Sequence, residues 1–318
     1  MSEHKSAIYP DLACVGYLFF KNIKILNANA ISSPLTYGFP AITGFAGGIH
    51  NLSRKIAQMN DLAHIRLDGV LLACFDCNVQ TYRENAYKDY FFIQSRNPIL
   101  KSGKTAPIIE EGKCHLTLSL MVGVYSSEFF LSDDEIDSLK ENALTLLQQQ
   151  RLAGGSIVSV DKFNPVQFIE PEKINEFKTQ LLPAFVLMDA HSELGEITQL
   201  LQKDNPNATA LDALIETAVL HHMPTSNEKW QTQSIKKGRG WLVPIPVGYQ
   251  GISPVFGAGE MANNRNPEYE SQYVESIYSL GKWVFPHRID DLAKAFWYQV
   301  YQPEQDLYLV QQIVNGEL

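Results

Sequence analysis

Residues 23–59 read IKILNANAISSPLTYGFPAITGFAGGIHNLSRKIAQM, and this stretch decides the fold of the first half of the chain. Its first nine residues alternate apolar and polar side chains, which is typical of a strand over Ile23–Ile31. Ser32-Ser33-Pro34 then leads the strand into a loop. Apolar residues next recur at helical spacing, which predicts a helix over Gly44–Met59 with Thr43 as its N-cap.

Four further segments extend this strand and helix. Two β-forming runs, Ile65–Val79 and Lys113–Tyr125, are predicted to pair as neighbouring strands. Ser132 is predicted to cap a helix that ends near Arg151, because acidic residues fill the first turn of that helix. Ser156–Val160 is predicted to be a fourth strand.

The order strand, helix, strand, strand, helix, strand is that of a split βαβ, or ferredoxin-like, unit, which RRM-like RNA-recognition sheets also use. We therefore predict an α+β fold whose first domain covers residues 1–160. An insertion at about 81–109 separates the second and third strands and carries interleaved aromatic and basic residues. It has more aromatic surface than an exposed loop normally shows, and one interpretation is that these rings fold back on the core.

The second half of the chain, residues 161–318, is predicted to form a smaller α/β part. Its predicted elements are a strand at Gln180–Met188, helices at Ser192–Lys203, Thr209–His221 and Asp290–Tyr301, and a polar loop at Met223–Ser234. Trp241–Tyr249 contains Pro244 and Pro246, so it is predicted to be an extended edge or loop and not a central strand.

The composition is that of an ordinary globular protein, because 45% of the 318 residues are hydrophobic and 19% are charged. The first residues lack the order of charges and apolar residues that a signal peptide needs. No stretch approaches the roughly 20 apolar residues that span a bilayer. We therefore expect a cytoplasmic protein whose four cysteines are reduced.

The net charge of -9 argues against a nucleic-acid partner, but the charges are unevenly distributed. Two windows hold basic residues and no acidic one: residues 21–60, with Lys21, Lys24, Arg54 and Lys55, and residues 229–259, with Lys229, Lys236, Lys237 and Arg239. Such segregation permits a local phosphate-facing surface, although a run of charge is commonly just a solvated face. Composition alone therefore decides nothing about RNA.

Cys74-Phe75-Asp76-Cys77 has the CxxC spacing of zinc and redox sites. In a regular strand, however, residues three apart point to opposite faces, and Cys114 is the only further thiol that could join them. We predict no metal site and no cofactor. Gly47 and Gly48 inside the predicted helix indicate close packing of the backbone or close approach of a ligand.

Histidines supply the only candidates for acid–base chemistry. His221 and His222 are adjacent at the end of a predicted helix, where neighbours point apart and where the helix dipole favours histidine. No partnered carboxylate is evident near them in the sequence, and His50 and His287 stand alone. We predict no catalytic residue.

The segment Asn27–Pro40, NANAISSPLTYGFP, differs in kind from these motifs. It combines small hydrogen-bonding side chains, a strand end and two aromatic rings with an acid-free neighbourhood, which suits contacts to sugar, phosphate and base edges. The other interpretation is an Asn- and Ser-rich turn. The residues by themselves leave both interpretations open.

This segment, with Thr43-Gly44-Phe45 after it, resembles the N-terminus of the Cas5-type subunit of the type I-F (Csy) CRISPR complex. Further similar motifs follow in one order: Leu67-Asp68-Gly69-Val70, Arg96-Asn97-Pro98, Glu110-Glu111-Gly112, Arg151-Leu152-Ala153-Gly154-Gly155-Ser156-Ile157, Leu211-Asp212-Ala213-Leu214, Gly240-Trp241-Leu242-Val243-Pro244-Ile245-Pro246 and Ser253-Pro254. The resemblance covers about residues 23 to 300, which is nearly the whole chain.

The resemblance implies a repeat-associated RNA-binding (RAMP) fold with a long β-hairpin thumb at the insertion. It implies a non-catalytic subunit of an antiviral surveillance (Cascade) complex that binds the five-prime handle of the guide crRNA. The expected partners are the large subunit and the repeated backbone subunits, and a separate endoribonuclease processes the guide. Target double-stranded DNA is reached through the complex, and direct contact of this chain with DNA is left open.

The residues expected to bind RNA fall into four groups. Hydrogen bonds are assigned to Asn27, Asn29, Ser32 and Ser33, stacking to Tyr37, phosphate contacts to Arg54, Arg96, Arg151, Lys236, Lys237 and Arg239, and close approach of the RNA backbone to Gly154, Gly155 and Ser156. Tyr37 stands where the resemblance leads us to expect tryptophan. Two alternatives stay open: an RNA-processing endonuclease that uses His50, His221 or His222, and a protein-bridging scaffold.

Overall fold

The computed structural model describes residues 8–224, 230–264 and 266–312. Its strands are Ala13–Asn29 (β1), Ile65–Val79 (β2), Thr81–Tyr82 (β3), Phe91–Arg96 (β4), Ile108–Glu111 (β5), Lys113–Ser126 (β6), Arg151–Leu152 (β7), Gly155–Ser159 (β8), Val166–Ile169 (β9), Phe185–Asp189 (β10), His221–Pro224 (β11), Trp230–Gln233 (β12), Trp241–Gly251 (β13), Val274–Val284 (β14), Trp297–Gln302 (β15) and Leu307–Gln312 (β16). Its α-helices are Ile42–Ile56 (α1), Asp133–Gln148 (α2), His191–Gln202 (α3) and Ala210–Ala218 (α4). Short 3-10 helices cover Pro171–Leu181, Pro286–Arg288, Leu292–Ala295 and Pro303–Gln305.

The first half forms an antiparallel sheet in the order β2-β6-β1-β8, on which α1 and α2 pack. The predicted pairing of the second and third strands is confirmed, and β2 has the predicted bounds. The expectation of an α+β protein is confirmed at this level.

β1 begins at Ala13, ten residues before the predicted strand. Its first part, Val15–Phe20, is buried at every position because β6 and β9 flank it and both of its faces are covered. A strand buried on both faces shows no apolar and polar alternation, so the pattern used for Ile23–Ile31 could not detect it.

The two helix starts differ. α2 is capped as predicted, because the Ser132 side chain accepts a hydrogen bond from the Glu135 backbone and Glu135 bonds back to Ser132. The prediction of Thr43 as the α1 cap is wrong, since Ala41 is the N-cap and makes no side-chain hydrogen bond. The chain leaves the extended conformation at Ala41, directly after Pro40, and the first turn closes through the Gly44 N–H to the Ala41 carbonyl.

The predicted helix over Asp290–Tyr301 is wrong. That segment is a 3-10 turn followed by β15, and six of its residues from Leu292 to Tyr298 are buried. An amphipathic helix would bury only one stripe of these residues. Trp297 fixes the strand by donating its indole N–H to the Leu187 carbonyl at 2.9 Å.

Trp241–Tyr249 also differs from its prediction, because β13 is a strand with partners on both sides. β14 pairs with its whole length, whereas β16 pairs only with Gly248–Gln250. Pro244 and Pro246 lie outside the stretch paired with β16, where a missing backbone N–H costs no hydrogen bond on that side.

The strands of both halves share one 11-stranded sheet, in which β10 pairs with β14 and also with β2, on the edge of β2 that β15 pairs near Val70. The pairings β2-β15-β16-β13-β14-β10-β2 therefore close a ring. The division of the chain at residue 160 stays a prediction.

The remaining elements follow the predictions in part. α3 confirms the helix at Ser192–Lys203, whereas α4 ends at Ala218 and leaves His221 in a strand. Only the end of the predicted strand at Gln180–Met188 is β10, because a 3-10 helix runs up to Leu181. The predicted loop at Met223–Ser234 contains parts of β11 and β12, and residues 225–229 lie outside the described chain.

The insertion is a separate three-stranded sheet, β3-β4-β5, and not a single hairpin. Four of its five rings do not fold back on the core, because Tyr82, Tyr87, Tyr90 and Phe91 are exposed, whereas Phe92 is half-buried. The side chain of Arg83 lies over the Tyr90 ring, 4.8 Å from its centre. Within the described residues, no helix is long and apolar enough to cross a membrane.

Candidate nucleic-acid interface

The end of β1 is irregular, and the irregularity exposes two asparagines. The pairing register with β6 shifts between Ile25 and Ala28, and Asn27 adopts a positive φ of 56°. The Asn27 backbone N–H donates to Nδ1 of His115 at 3.2 Å. The side chains of Asn27 and Asn29 lie on exposed positions of the chain.

The β7–β8 hairpin lies beside this strand end. The Asn29 N–H donates to the Ala153 carbonyl at 2.9 Å, and Leu26 pairs with Ser156. Gly155 lies so close to β1 that an added Cβ would be 2.8 Å from the Leu26 carbonyl oxygen. The sequence predicted close approach of the RNA backbone to Gly155. β1 occupies that position instead.

The other hairpin residues stay accessible. Arg151, Gly154 and Ser156 are exposed, and Gly154 has a φ of +79°, a conformation that favours glycine. The structure thus brings five predicted residues together. We call them, with Tyr37, the strand-end surface: Asn27, Asn29, Tyr37, Arg151, Gly154 and Ser156.

The two predicted serines hold a turn. The Ser33 hydroxyl accepts the N–H groups of Leu35 at 3.2 Å and Thr36 at 3.0 Å, and the Ser33 residue is buried. The Ser32 hydroxyl lies 2.7 Å from the Thr36 hydroxyl and donates to the Thr36 carbonyl at 3.1 Å. Both serines therefore already have partners, and their assignment to RNA stays a prediction.

The turn presents Tyr37, whose side chain is 70% exposed. Its ring makes an edge contact with Phe92 of the insertion at 5.5 Å between ring centres. The Ala30 N–H also donates to the Gly112 carbonyl at 2.9 Å, at the root of the insertion. The strand-end surface and the insertion are therefore neighbours.

The electrostatics of this surface are favourable to a phosphate. Lys24 and Arg151 are exposed, and neither forms an ion pair within the described part of the chain. The nearby Lys113 lies 3.8 Å from Glu111, a weak surface pair.

The second basic window has a different environment. The Arg239 guanidinium contacts the carboxylates of Glu193 at 2.8 Å and Glu196 at 2.7 Å, and Lys282 contacts Glu193 at 3.0 Å. Burial alone would raise the pKa of Glu193, but hydrogen bonds from Arg239 and Lys282 hold it below its usual range. We call residues 236–239 the basic turn.

Within the basic turn, Lys237 is exposed and the Lys236 ammonium donates to the Leu242 carbonyl at 3.5 Å. Arg54 lies in the last turn of α1, and Arg96 lies at the end of β4 in the insertion. No hydrogen bond or ion pair between described side chains joins any of these residues to the strand-end surface.

The histidines correct one prediction. Nε2 of His221 lies 2.6 Å from the Glu216 carboxylate, so a partnered carboxylate is present, five residues earlier in the chain. Nδ1 of His222 lies 3.0 Å from the Thr232 hydroxyl. α4 ends early and β11 begins at His221, which places both histidines on a strand and not at a helix C-terminus.

The cysteines correct another prediction. Cys74 pairs with Leu118 and Cys77 with Leu116, because a bulge at Phe75 adds one residue to β2. The two cysteines therefore lie on the same face of the sheet. Burial raises the pKa of Cys74 to about 12, which makes that thiol unreactive.

A candidate cation cluster that the sequence did not predict is His64, Glu128 and Glu135, whose ligand atoms lie within 4.8 Å of one another. Glu135 already serves the capping box of α2, and the positive end of that helix dipole disfavours a cation there. Within the described chain, Cys74, Cys77 and Cys114 do not form such a cluster.

Comparison with known proteins identifies the family. A model of the family described as CRISPR-associated protein Csy2 matches residues 18–310. The chain belongs to the Csy2 family. It is also 34% identical over 313 residues to CRISPR-associated protein Csy2 of Pseudomonas aeruginosa strain UCBPP-PA14, a match that covers 92% of this chain and 93% of that protein.

Membership of the Csy2 family supports the expectation that the chain is a subunit of a type I-F CRISPR complex in antiviral defence. The family match spans both halves of the chain, from the buried start of β1 to β16.

Proposed function

We propose that this Csy2-family chain is a non-catalytic, Cas5-type subunit that binds the five-prime handle of the guide crRNA through the strand-end surface. The observation that carries the proposal is the hydrogen bond from Asn29 to Ala153. It holds the β7–β8 hairpin against the end of β1, where Ser156 pairs with Leu26 and Arg151 pairs with Ser156. Arg151 and the two asparagines are all exposed, and a cation on the same surface as amide side chains suits contacts to phosphate, sugar and base edges.

We further propose that the first half is ferredoxin-like. The antiparallel order β2-β6-β1-β8, with helices after the first and third of these strands in the chain, supports this topology. In RNA-recognition sheets of this topology, aromatic side chains of the sheet stack on two or three bases. The strand-end surface offers the exposed Tyr37 ring for such a contact.

The insertion is proposed to act as a thumb that crosses the guide RNA and touches a backbone subunit. Its own small sheet and its exposed rings support this role, because rings that serve no core packing are available for stacking. Deletion of residues 83–104 with a short Gly-Ser bridge should leave a cooperatively folded chain that no longer enters the complex. Normal assembly of the deleted chain would contradict the proposal.

Absence of catalysis is part of the same proposal. The His221 and Glu216 pair is the arrangement that most resembles an acid–base pair, and it joins the exposed start of β11 to the last turns of α4. His221→Ala should leave guide maturation by a separate nuclease unchanged. Cleavage of repeat RNA by this protein, lost in His221→Ala, would favour the endonuclease alternative.

The experiment that tests the proposal is binding of guide RNA at several salt concentrations. Arg151→Gln should weaken binding and reduce the slope of log affinity against log salt by about 1, as expected for one lost phosphate contact. Lys140→Gln is the control on α2, since the Lys140 ammonium is already paired with Asp137 at 2.6 Å and its loss should leave the salt slope unchanged. Equal slopes for Arg151→Gln and wild type would contradict the proposal.

A further inference from the structure

An aromatic ridge in the second half of the chain separates two hollows. It consists of Phe185, Trp241 and Trp283, with ring centres 5.5 Å apart for Phe185 and Trp241 and 6.3 Å apart for Trp241 and Trp283. Trp241 is 55% exposed although it stands at the start of a long paired strand. A ring of this size left in water is available to a ligand.

The first hollow is an apolar cleft of about 510 Å³ between the ridge, the loop Tyr37–Ile42, the strand end Cys74–Val79 and Val243–Pro246. Its volume falls in the range of roughly 300–1,000 Å³ that is usual for pockets that bind small molecules. Beyond Cys74, β2 pairs only with β6, so its other edge has no strand partner within the described residues. The carbonyls of Asp76 and Asn78 accept the Cys74 thiol and the Gln80 amide, and backbone groups on this edge that lack such a partner can bond to the edge of a flat polar ring.

The second hollow, of about 760 Å³, shares the ridge and carries three cations. Lys282 is paired with Glu193, but Arg288 and Lys294 are exposed and form no ion pair within the described chain. Of the acids in this hollow, Asp291 accepts the Ala293 N–H at 3.1 Å. Asp189 accepts the His191 N–H at 3.3 Å, and Asp290 is exposed.

We propose that the apolar cleft takes one unstacked base of the guide RNA against Trp241, and that Arg288 and Lys294 hold the adjacent phosphate across the ridge. This inference rests on the proposed function. Aromatic rings next to exposed cations are the means by which proteins bind single-stranded nucleic acid. An apolar peptide would fill the cleft without using the cations.

The position of the cleft next to the strand-end surface also supports RNA as its occupant. Ser32 and Tyr37 line the cleft, and Tyr37 also belongs to the strand-end surface. A single RNA strand can therefore follow from Asn27 and Asn29, past the Tyr37 ring, into the cleft. The cleft continues the proposed interface and does not form a separate site.

The test couples a protein change to an RNA change. Binding of the repeat-derived guide RNA is measured for wild type and for Trp241→Ala, with intact RNA and with RNAs that carry one abasic position each. Loss of a stacked base should weaken binding by wild type about 5- to 100-fold at one position. Trp241→Ala should weaken binding of intact RNA by a similar factor. The affinity of this variant should be the same for intact RNA and for RNA abasic at that position, because both changes remove the same contact.

Three control variants make the test specific. Trp241→Phe keeps a ring and should restore most of the affinity. Trp230→Ala removes another tryptophan, 72% exposed on β12, and should bind like wild type. The double variant Arg288→Gln, Lys294→Gln should reduce the salt slope by about 1 to 2.

The possible failures are distinguishable. If wild type binds guide RNA and Trp241→Ala binds it equally well, the inference is wrong and the proposed function stands. If wild type does not bind guide RNA at any salt concentration, the proposed function is wrong and the inference fails with it. If Trp241→Ala binds RNA normally but loses a protein subunit from the complex, the ridge is a protein-binding surface and the inference is overturned.

Discussion

The strand-end surface takes Asn27, Asn29 and Tyr37 from the first acid-free window of the sequence, and the basic turn lies in the second, but the two regions differ in space. Arg151 has no ion-pair partner within the described residues, whereas Arg239 contacts two carboxylates of α3. Those carboxylates, Glu193 and Glu196, lie more than forty positions from Arg239 in the chain. A sequence window free of acids is therefore not a surface free of acids, and only the first of the two regions offers an uncompensated guanidinium.

The largest expected effect separates the two regions directly. The triple variant Asn27→Ala, Asn29→Ala, Arg151→Ala should weaken guide RNA binding by about 2.5–6 kcal/mol, because each lost neutral hydrogen bond contributes about 0.5–1.5 kcal/mol and one to a charged group about 1.5–3 kcal/mol. The triple variant Lys236→Ala, Lys237→Ala, Arg239→Ala serves as the matched comparison in the same binding assay. If the second triple variant loses more affinity, we have assigned the RNA to the wrong region.

A glycine substitution in the β7–β8 hairpin should destabilise the packing of that hairpin on β1. Gly155→Ala places a Cβ 2.8 Å from the Leu26 carbonyl oxygen and the Ala28 backbone nitrogen, so we expect a loss of about 1–3 kcal/mol in the free energy of unfolding. Gly47→Ala is the control, since the position is helical with open space around it, and it should stabilise the protein by about 0.5–1 kcal/mol. Denaturant melts measure both effects, and a neutral Gly155→Ala would show that the hairpin is not held tightly on β1.

The ion pairs of the second region should give a pH-dependent effect. The pKa of Glu193 is lowered in the folded protein, so its pairing stabilises the fold above the ordinary glutamate pKa of about 4.3 and is lost as the pH falls through the lower folded value. Glu193→Gln should therefore reduce the stability by about 1 kcal/mol at pH 7, and the difference from wild type should disappear in acid. A difference that persists below the folded pKa would mean that Glu193 acts through packing and not through its charge.

The smallest effect on RNA affinity is expected for the turn that presents Tyr37. Ser33→Ala removes the acceptor of two backbone N–H groups and should cost about 1 kcal/mol of stability, with little direct effect on RNA affinity. Thermal melts and RNA titrations on the same preparation separate the two quantities. A large loss of RNA affinity without loss of stability would indicate that Ser33 contacts RNA directly.

The features that the sequence predicted depend on local signals. The bounds of β2 follow from its composition, and the α2 cap follows from Ser132 and the three acids after it. The buried part of β1 and the strands β14 and β16 were missed because tertiary pairing, and not alternation, defines them. The same-face position of Cys74 and Cys77 depends on a bulge, which spacing alone cannot reveal.

The candidate site also contains residues that local signals predicted and residues that they missed. Asn27, Asn29 and Arg151 were predicted from a strand end and a glycine hairpin, and the structure brings them together. His115, which accepts a hydrogen bond from Asn27, was missed because it lies 88 positions away. The aromatic ridge was missed because its three rings come from three neighbouring strands, β10, β14 and β13, whose pairing the sequence did not predict.

The central claim is that guide RNA lies on the strand-end surface, and photo-crosslinking tests it most directly. Guide RNA with 4-thiouridine at single positions of the handle is irradiated in the assembled complex, and the crosslinked peptides of this chain are sequenced. We predict crosslinks in the peptides that contain Asn27–Tyr37 and Arg151–Ser156. Crosslinks confined to the basic turn, or to the acidic start of α2, would contradict the account.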